Sequence, residues 1–202
     1  MMRPVRVVAA TGNRHKLAEF REILSGCEVL DPAGVGWTGE VEEDGATLEA
    51  NARKKALTIA RAVGLPALAD DTGLFVDALD GAPGVHSARY AGPEQDAAAN
   101  CRKRLEALRG VPFELRGAAF RCVIALAQPD GEVLSWEGAT PGVIAEAPRG
   151  AGGFGYDPLF VAEGTGRTFA EMSATEKHGL SHRGRALAAF SRWLDSVSET
   201  RS

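Results

Sequence analysis

The sequence predicts an α/β fold on three observations. Strand-like and helix-like segments take turns along the chain. No internal repeat, low-complexity tract or long linker interrupts them. One adjacent pair of strands reads as a hairpin, whose antiparallel pairing makes the sheet mixed. The first element is an apolar strand, Val5 to Ala10. A helix follows, with Leu17, Phe20, Ile23 and Leu24 at helical spacing and Gly26 as its stop signal. A second helix is predicted from Thr47 to Val63, closed by Gly64 and Pro66. A short strand, Ala67 to Asp70, should come next and give way to a glycine turn at Asp71-Thr72-Gly73. A third helix is expected from Glu94 to Arg109, and strands Gly117 to Ala127 and Glu132 to Gly138 flank the turn Pro129-Asp130-Gly131. The final helix should run from Arg183 to Val197, burying Leu187, Phe190, Trp193, Leu194 and Val197.

Size and charge bound the function. A chain of 202 residues can build one domain with a substantial core, or two small lobes, and one enzyme-sized unit is the default. Its net charge of −4 provides no basic stripe, which disfavours nucleic acid as a partner. Met1 to Val8 is too short and too weakly apolar for a signal peptide, and no later run approaches a membrane span, so a cytoplasmic protein without membrane contact is expected. Cys27, Cys101 and Cys122 are widely separated and lack metal-ligand spacing, and they read as reduced structural residues.

Four short segments carry chemistry. Thr11-Gly12-Asn13-Arg14-His15-Lys16 lies between a strand and a helix, where backbone N–H groups and the helix dipole favour an anion. Thr11, Asn13 and Lys16 add a hydroxyl, an amide and a cation; the plainer alternative is an ordinary N-cap turn. Asp70-Asp71-Thr72-Gly73 places two adjacent carboxylates at a strand end. Successive strand residues face opposite sides, so both can serve one site only if the chain turns between them. A divalent cation would relieve their repulsion, with a further acid from Glu42-Glu43-Asp44; the alternative is a solvated Asx turn. Gly150 to Pro158 combines glycines with Phe154, Tyr156 and Asp157, suited either to stacking a planar base or to closing the core beneath a tight loop. Lys177-His178-Gly179-Leu180-Ser181-His182-Arg183-Gly184 is rich in hydrogen-bond donors, which favours a carbonyl over an exocyclic amine on any base it lines. Its plainer reading is a capped, solvated basic turn.

Taken in order, these segments resemble the Ham1/RdgB-like inosine triphosphate pyrophosphatases. The resemblance rests on Thr11 to Lys16, on Ala69 to Leu74 leading into Gly81 to Tyr90, on Gly153 to Pro158 and on Ser181 to Gly184, and covers roughly Val5 to Leu194. It implies one two-lobed domain over residues 1–202, with a long, mixed, twisted sheet, flanking helices and a central cleft, usually in a homodimer. It implies hydrolysis of ITP, dITP and XTP to the monophosphate and pyrophosphate, with Mg2+ as cofactor. On matching positions, Thr11, Gly12, Asn13, Arg14, His15 and Lys16 would hold the triphosphate, joined by Lys55, and Thr72 would touch substrate. Asp71 would be the catalytic residue and a metal ligand, with Glu43, Glu42 and Asp70 as further metal candidates. Phe154 would stack on the base beside Gly155, Tyr156 and Asp157, and Lys177, His182 and Arg183 would read its oxo edge. Thr72 stands where that family commonly has serine, Asp44 where it often has threonine, and Ala50 where it often has glutamate. Two alternatives differ in kind: a Maf-type pyrophosphatase of modified pyrimidine nucleotides, disfavoured by Phe154 and Ser181-His182-Arg183, and a nucleotide-binding module that does not hydrolyse.

Overall fold

Strand β1 (Val5–Ala9) runs parallel to both β2 (Cys27–Leu30) and β3 (Ala67–Val76), in a computed structural model that describes residues 5–199. Further along the chain come β4 (Pro83–Gly84), β5 (Gly117–Ala127), β6 (Val133–Ile144) and β7 (Phe160–Ala162). The sheet order is β2-β1-β3-β5-β6-β7, with β4 added to β3. Antiparallel pairing of β3 with β4 and of β6 with β7 makes the sheet mixed; the sequence predicts a mixed sheet from the hairpin of β5 and β6, which are neighbours in it. Helices α1 (Arg14–Ile23), α2 (Leu48–Val63), α3 (Ala97–Ala107), α4 (Ala174–Leu180) and α5 (His182–Glu199) complete the α/β fold. No helix among the described residues is long and apolar enough to cross a membrane, and Met1 to Pro4 of the leader reading lie outside those residues.

Local chemistry sets most boundaries. The Asn13 side chain accepts from the backbone N–H groups of His15 and Lys16 and so starts α1. Thr47 caps α2 by accepting from Ala50 N–H, and Gly64 ends it in a left-handed conformation. Asp96 caps α3 through the N–H groups of Ala98 and Ala99, which trims the predicted Glu94–Arg109 helix at its start. The basic segment before the last helix is not a solvated turn. Ser173 and Glu176 form a capping box that folds it into α4, and α5 begins one residue earlier than predicted.

One expectation is overturned. Asp70-Asp71-Thr72-Gly73 contains no turn, because β3 continues unbroken to Val76. Gly73 serves close backbone approach instead: a Cβ there would meet the Gly84 carbonyl oxygen at 2.5 Å, where β4 pairs alongside. The strand therefore carries both aspartates on its pleat.

The chain divides into two compact units, and the division falls inside β3, β5 and β6. The first holds residues up to Asp71, Cys122–Gly138 and the chain from Arg183 onward. Its core packs Val7, Ala9 and Leu68 of the sheet against Leu17, Phe20 and Leu24, and against Leu187 and Phe190 of α5. The second, Thr72–Arg121 with Ala139–His182, is built on Leu74, Val76, Phe120, Ile144, Tyr156, Phe160 and Phe169. All three cysteines are free thiols.

Candidate functional site

In the first unit, the turn after β1 is an N-cap and an exposed surface at once. Asn13 N–H donates to the Thr11 hydroxyl at 3.1 Å, and the Asn13 side-chain Oδ1 accepts from the N–H groups of His15 and Lys16. Gly12 opens onto free space, while Arg14 and His15 are exposed at the positive end of the helix. Lys16, one turn in, bends back to Asp70 at 3.1 Å.

Because β3 does not turn, Asp70 and Asp71 enter different networks. Asp70 is fully enclosed: its Oδ2 accepts from Arg183 Nε at 3.1 Å and Nη2 at 2.9 Å, beside the Lys16 ammonium. Arg183 Nη1 also donates to Glu19 Oε2 at 2.5 Å. Burial alone would push the Asp70 carboxyl up, but Lys16, Arg183 and Lys55 outweigh it and hold it well below the usual carboxylate range. Arg183 shows the mirror effect, burial opposing its charge while Asp70 and Glu19 favour it.

Asp71 sits with α2. Its Oδ1 accepts from Lys55 Nζ at 3.2 Å and its Oδ2 from Asn51 Nδ2 at 3.1 Å. Lys55 Nζ also donates to Glu43 Oε1 at 2.5 Å, and the Asn51 amide oxygen accepts from Gly45 N–H at 2.7 Å. The Asn51 side chain thus ties the acidic loop to the strand. Here burial wins: the Asp71 carboxyl is held above its ordinary value, with Glu43 adding to the rise and Lys55, Lys16 and Asn51 opposing it. The other two acids of that loop lie elsewhere. Glu42 is exposed, and Asp44 pairs at the surface with Lys54 at 2.6 Å.

Magnesium, which the family resemblance implies, binds through one or two carboxylates together with substrate phosphates and retained waters. Glu43 and Asp71, two carboxylates already converging on one cation, fit that donor set. Asp70 turns its Oδ2 to Arg183 and Lys16 instead. No group of three or more His, Cys, Asp or Glu able to hold a metal occurs among the described residues, so such an ion would need substrate oxygens and water.

The second unit gathers the aromatic loop and α4. Asp157 Oδ2 accepts from Phe154 N–H at 2.8 Å and from Lys177 Nζ at 2.7 Å. A Cβ on Gly153 would meet that same oxygen at 2.1 Å, so only glycine, here at φ 70°, lets the loop close on it. The Lys177 ammonium lies 4.6 Å from the centre of the half-buried Phe154 ring. Tyr156 takes the other reading of the loop: its ring is in the core, and its hydroxyl donates to the Ser87 carbonyl at 2.9 Å. Gly155, between them, is half-buried with φ 62°. His182 is stacked on Phe120 at 4.5 Å, and Thr72 is half-buried in β3. Sequence reasoning missed Glu19 and Asn51, whose burial on otherwise amphipathic helices only the fold reveals.

The Ham1 family profile matches residues 7–193. The dITP/XTP pyrophosphatase of Syntrophobacter fumaroxidans is 55% identical over 193 residues, spanning 95% of this chain and 82% of that protein. That of Geobacter sulfurreducens is 53% identical over 185 residues, spanning 91% and 93%. Among solved structures, a HAM1 protein from Coxiella burnetii is similar at a TM-score of 0.86 and 42% identity, over 95% of this chain and 99% of its own.

Proposed function

The chain belongs to the Ham1 family, and from that premise we propose that it hydrolyses dITP, ITP and XTP to the nucleoside monophosphate and pyrophosphate, clearing non-standard purines from the nucleotide pool. The observation that carries the reading within the fold is the Asp71 network: a buried carboxylate with a raised proton affinity beside a second acid and a lysine. A base works best when its pKa lies closer to the working pH, and burial moves Asp71 in that direction.

Asp71 accepts the proton of the water that attacks the α-phosphorus, and pyrophosphate leaves. The α1 N-terminus, with Thr11, Gly12, Asn13, Arg14, His15 and Lys16, receives the negative charge of the departing phosphates. Magnesium held by Glu43 and Asp71 would supply charge neutralisation on the phosphate oxygens. Lys55 reaches the same oxygens from α2, and Thr72 adds a hydroxyl.

Recognition of the base is assigned to Phe154, Lys177, His182 and Arg183. Phe154 stacks on the purine, an interaction worth about 1–3 kcal/mol where bases stack on aromatic side chains. Asp157 fixes both Phe154 and Lys177, so stacking and donor placement are set by one carboxylate. Lys177, His182 and Arg183 donate toward the C6 oxygen, with the Arg183 guanidinium oriented by Asp70 and Glu19. Adenine presents an amine there, leaving buried donors unpaired, which can cost several powers of ten in kcat/KM. Cytoplasmic location is supported by the three free thiols, and a homodimer by family resemblance.

The test is a panel of ITP, dITP, XTP, ATP, GTP and modified pyrimidine triphosphates, with and without Mg2+, scored for monophosphate and pyrophosphate. The reading expects magnesium-dependent pyrophosphate release from the oxo-purines, at least about a hundredfold faster than from ATP. Equal turnover of ATP, or tight ITP binding without pyrophosphate release, would overturn it.

A further inference from the structure

We propose that the Lys55 ammonium is the resident counter-cation of the Glu43–Asp71 carboxylate pair, which a divalent cation must displace, so that metal enters with the triphosphate rather than before it. The inference rests on the assignment of Glu43 and Asp71 to the metal. Lys55 Nζ lies 2.5 Å from Glu43 Oε1 and 3.2 Å from Asp71 Oδ1, so it already occupies the point where the two carboxylates converge. Its stem is buried on α2, in the same turns as Ala52, Ala56 and Ile59, and the ammonium can leave only by swinging on its flexible methylene chain. A second cation brought to the same oxygens while Lys55 stays would stand against a like charge at contact distance, where solvent reaches the pair chiefly from the Glu43 side.

The local charge count defines the device. Two carboxylates converge on one ammonium, and a divalent ion would bring twice that charge to the same oxygens. A triphosphate resolves the competition by offering the ammonium a new anionic partner. Asn51 keeps the exchange clean: it holds Asp71 through Oδ2, whereas Lys55 bonds Oδ1. When Lys55 moves, Asp71 Oδ1 is released on a carboxylate whose orientation stays fixed.

The experiment titrates Mn2+ alone, without nucleotide, into the full chain and follows free Mn2+ by electron paramagnetic resonance. Wild type, Lys55→Arg, Lys55→Met, Lys55→Gln and the double variant Lys55→Met/Glu43→Gln are compared, each checked for folding by circular dichroism. Removing the ammonium is expected to tighten Mn2+ binding about tenfold or more in the Met and Gln variants, while Lys55→Arg stays near wild type. The double variant loses the gain, because one of the two carboxylates is gone. Wild type binding Mn2+ as tightly as the neutral variants, or a gain that persists in the double variant, overturns the inference. Either result leaves pyrophosphate release from dITP untouched as evidence for the activity. Conversely, a chain inactive on every triphosphate could still show the Mn2+ pattern, so the two failures are distinguishable.

Discussion

The two faces of β3 at Asp70 and Asp71 use the same kinds of side chain to opposite ends. On one face, Asp70 and Glu19 meet Lys16 and Arg183, two negative charges against two positive, with Asp70 and Arg183 almost wholly enclosed. On the other, Asp71 and Glu43 converge on Lys55, and Glu43 keeps 30% of its side chain exposed. Burial raises both aspartates: on the balanced face Lys16 and Arg183 outweigh it and drive Asp70 far toward the ionised form, whereas on the other face it outweighs Lys55 and holds Asp71 toward the protonated one. A carboxylate that is very hard to protonate suits anchoring, and one that takes a proton more readily suits proton transfer. The faces still feel each other, since Lys16 acts on Asp71 and Lys55 on Asp70 through space.

The comparison can be broken first at Asp70. Asp70→Asn leaves the buried Arg183 and Lys16 short of a countercharge and should cost about 3–5 kcal/mol in denaturant unfolding, the range for breaking a buried ion pair. A loss within error of zero would mean the balanced face is not an anchor. Next comes Asn51→Ala, which strips Asp71 of a donor and Gly45 N–H of its acceptor. It should cost about 1–3 kcal/mol, measured the same way, and lower kcat as the acidic loop loses its tie to β3. The gentlest test is acid. Asp70 has its folded pKa below the unfolded value, so its contribution is present above about pH 4 and fades as pH falls from there. Asp71, raised in the fold, does the reverse: its contribution is present below the unfolded value and is lost as pH climbs through the folded one. Melting temperatures followed downward from about pH 5 should therefore fall less steeply in Asp70→Asn than in wild type.

Much of this was legible in the chain because it is local. The cap at Asn13, the stop at Gly64 and the helix pattern of Leu17, Phe20 and Leu24 depend on neighbours within a few residues. Gly73 was misread because a glycine in a turn and a glycine under a crossing backbone look alike in sequence. Only the approach of β4, eleven residues on, separates them. Glu19 was invisible for a related reason. Its partner Arg183 lies 164 positions away, and an acid on a helix is ordinarily a surface residue. The roles of Asp70 and Asp71 could be narrowed to an either-or by strand alternation, yet the sequence could not say that the strand runs on to Val76. Tyr156 and Phe154, two residues apart in one loop, divided between core and half-exposed positions, and no spacing rule foretells which ring turns inward.

The most direct measurement compares pyrophosphate release from dITP by Asp71→Asn and Asp70→Asn, per folded molecule, at a temperature where both remain native. The account predicts that Asp71→Asn falls by about 10²–10⁴-fold, as expected when a positioned base is removed, and lies at least tenfold below Asp70→Asn. Near-wild-type turnover by Asp71→Asn, or the two variants in the opposite order, would contradict it.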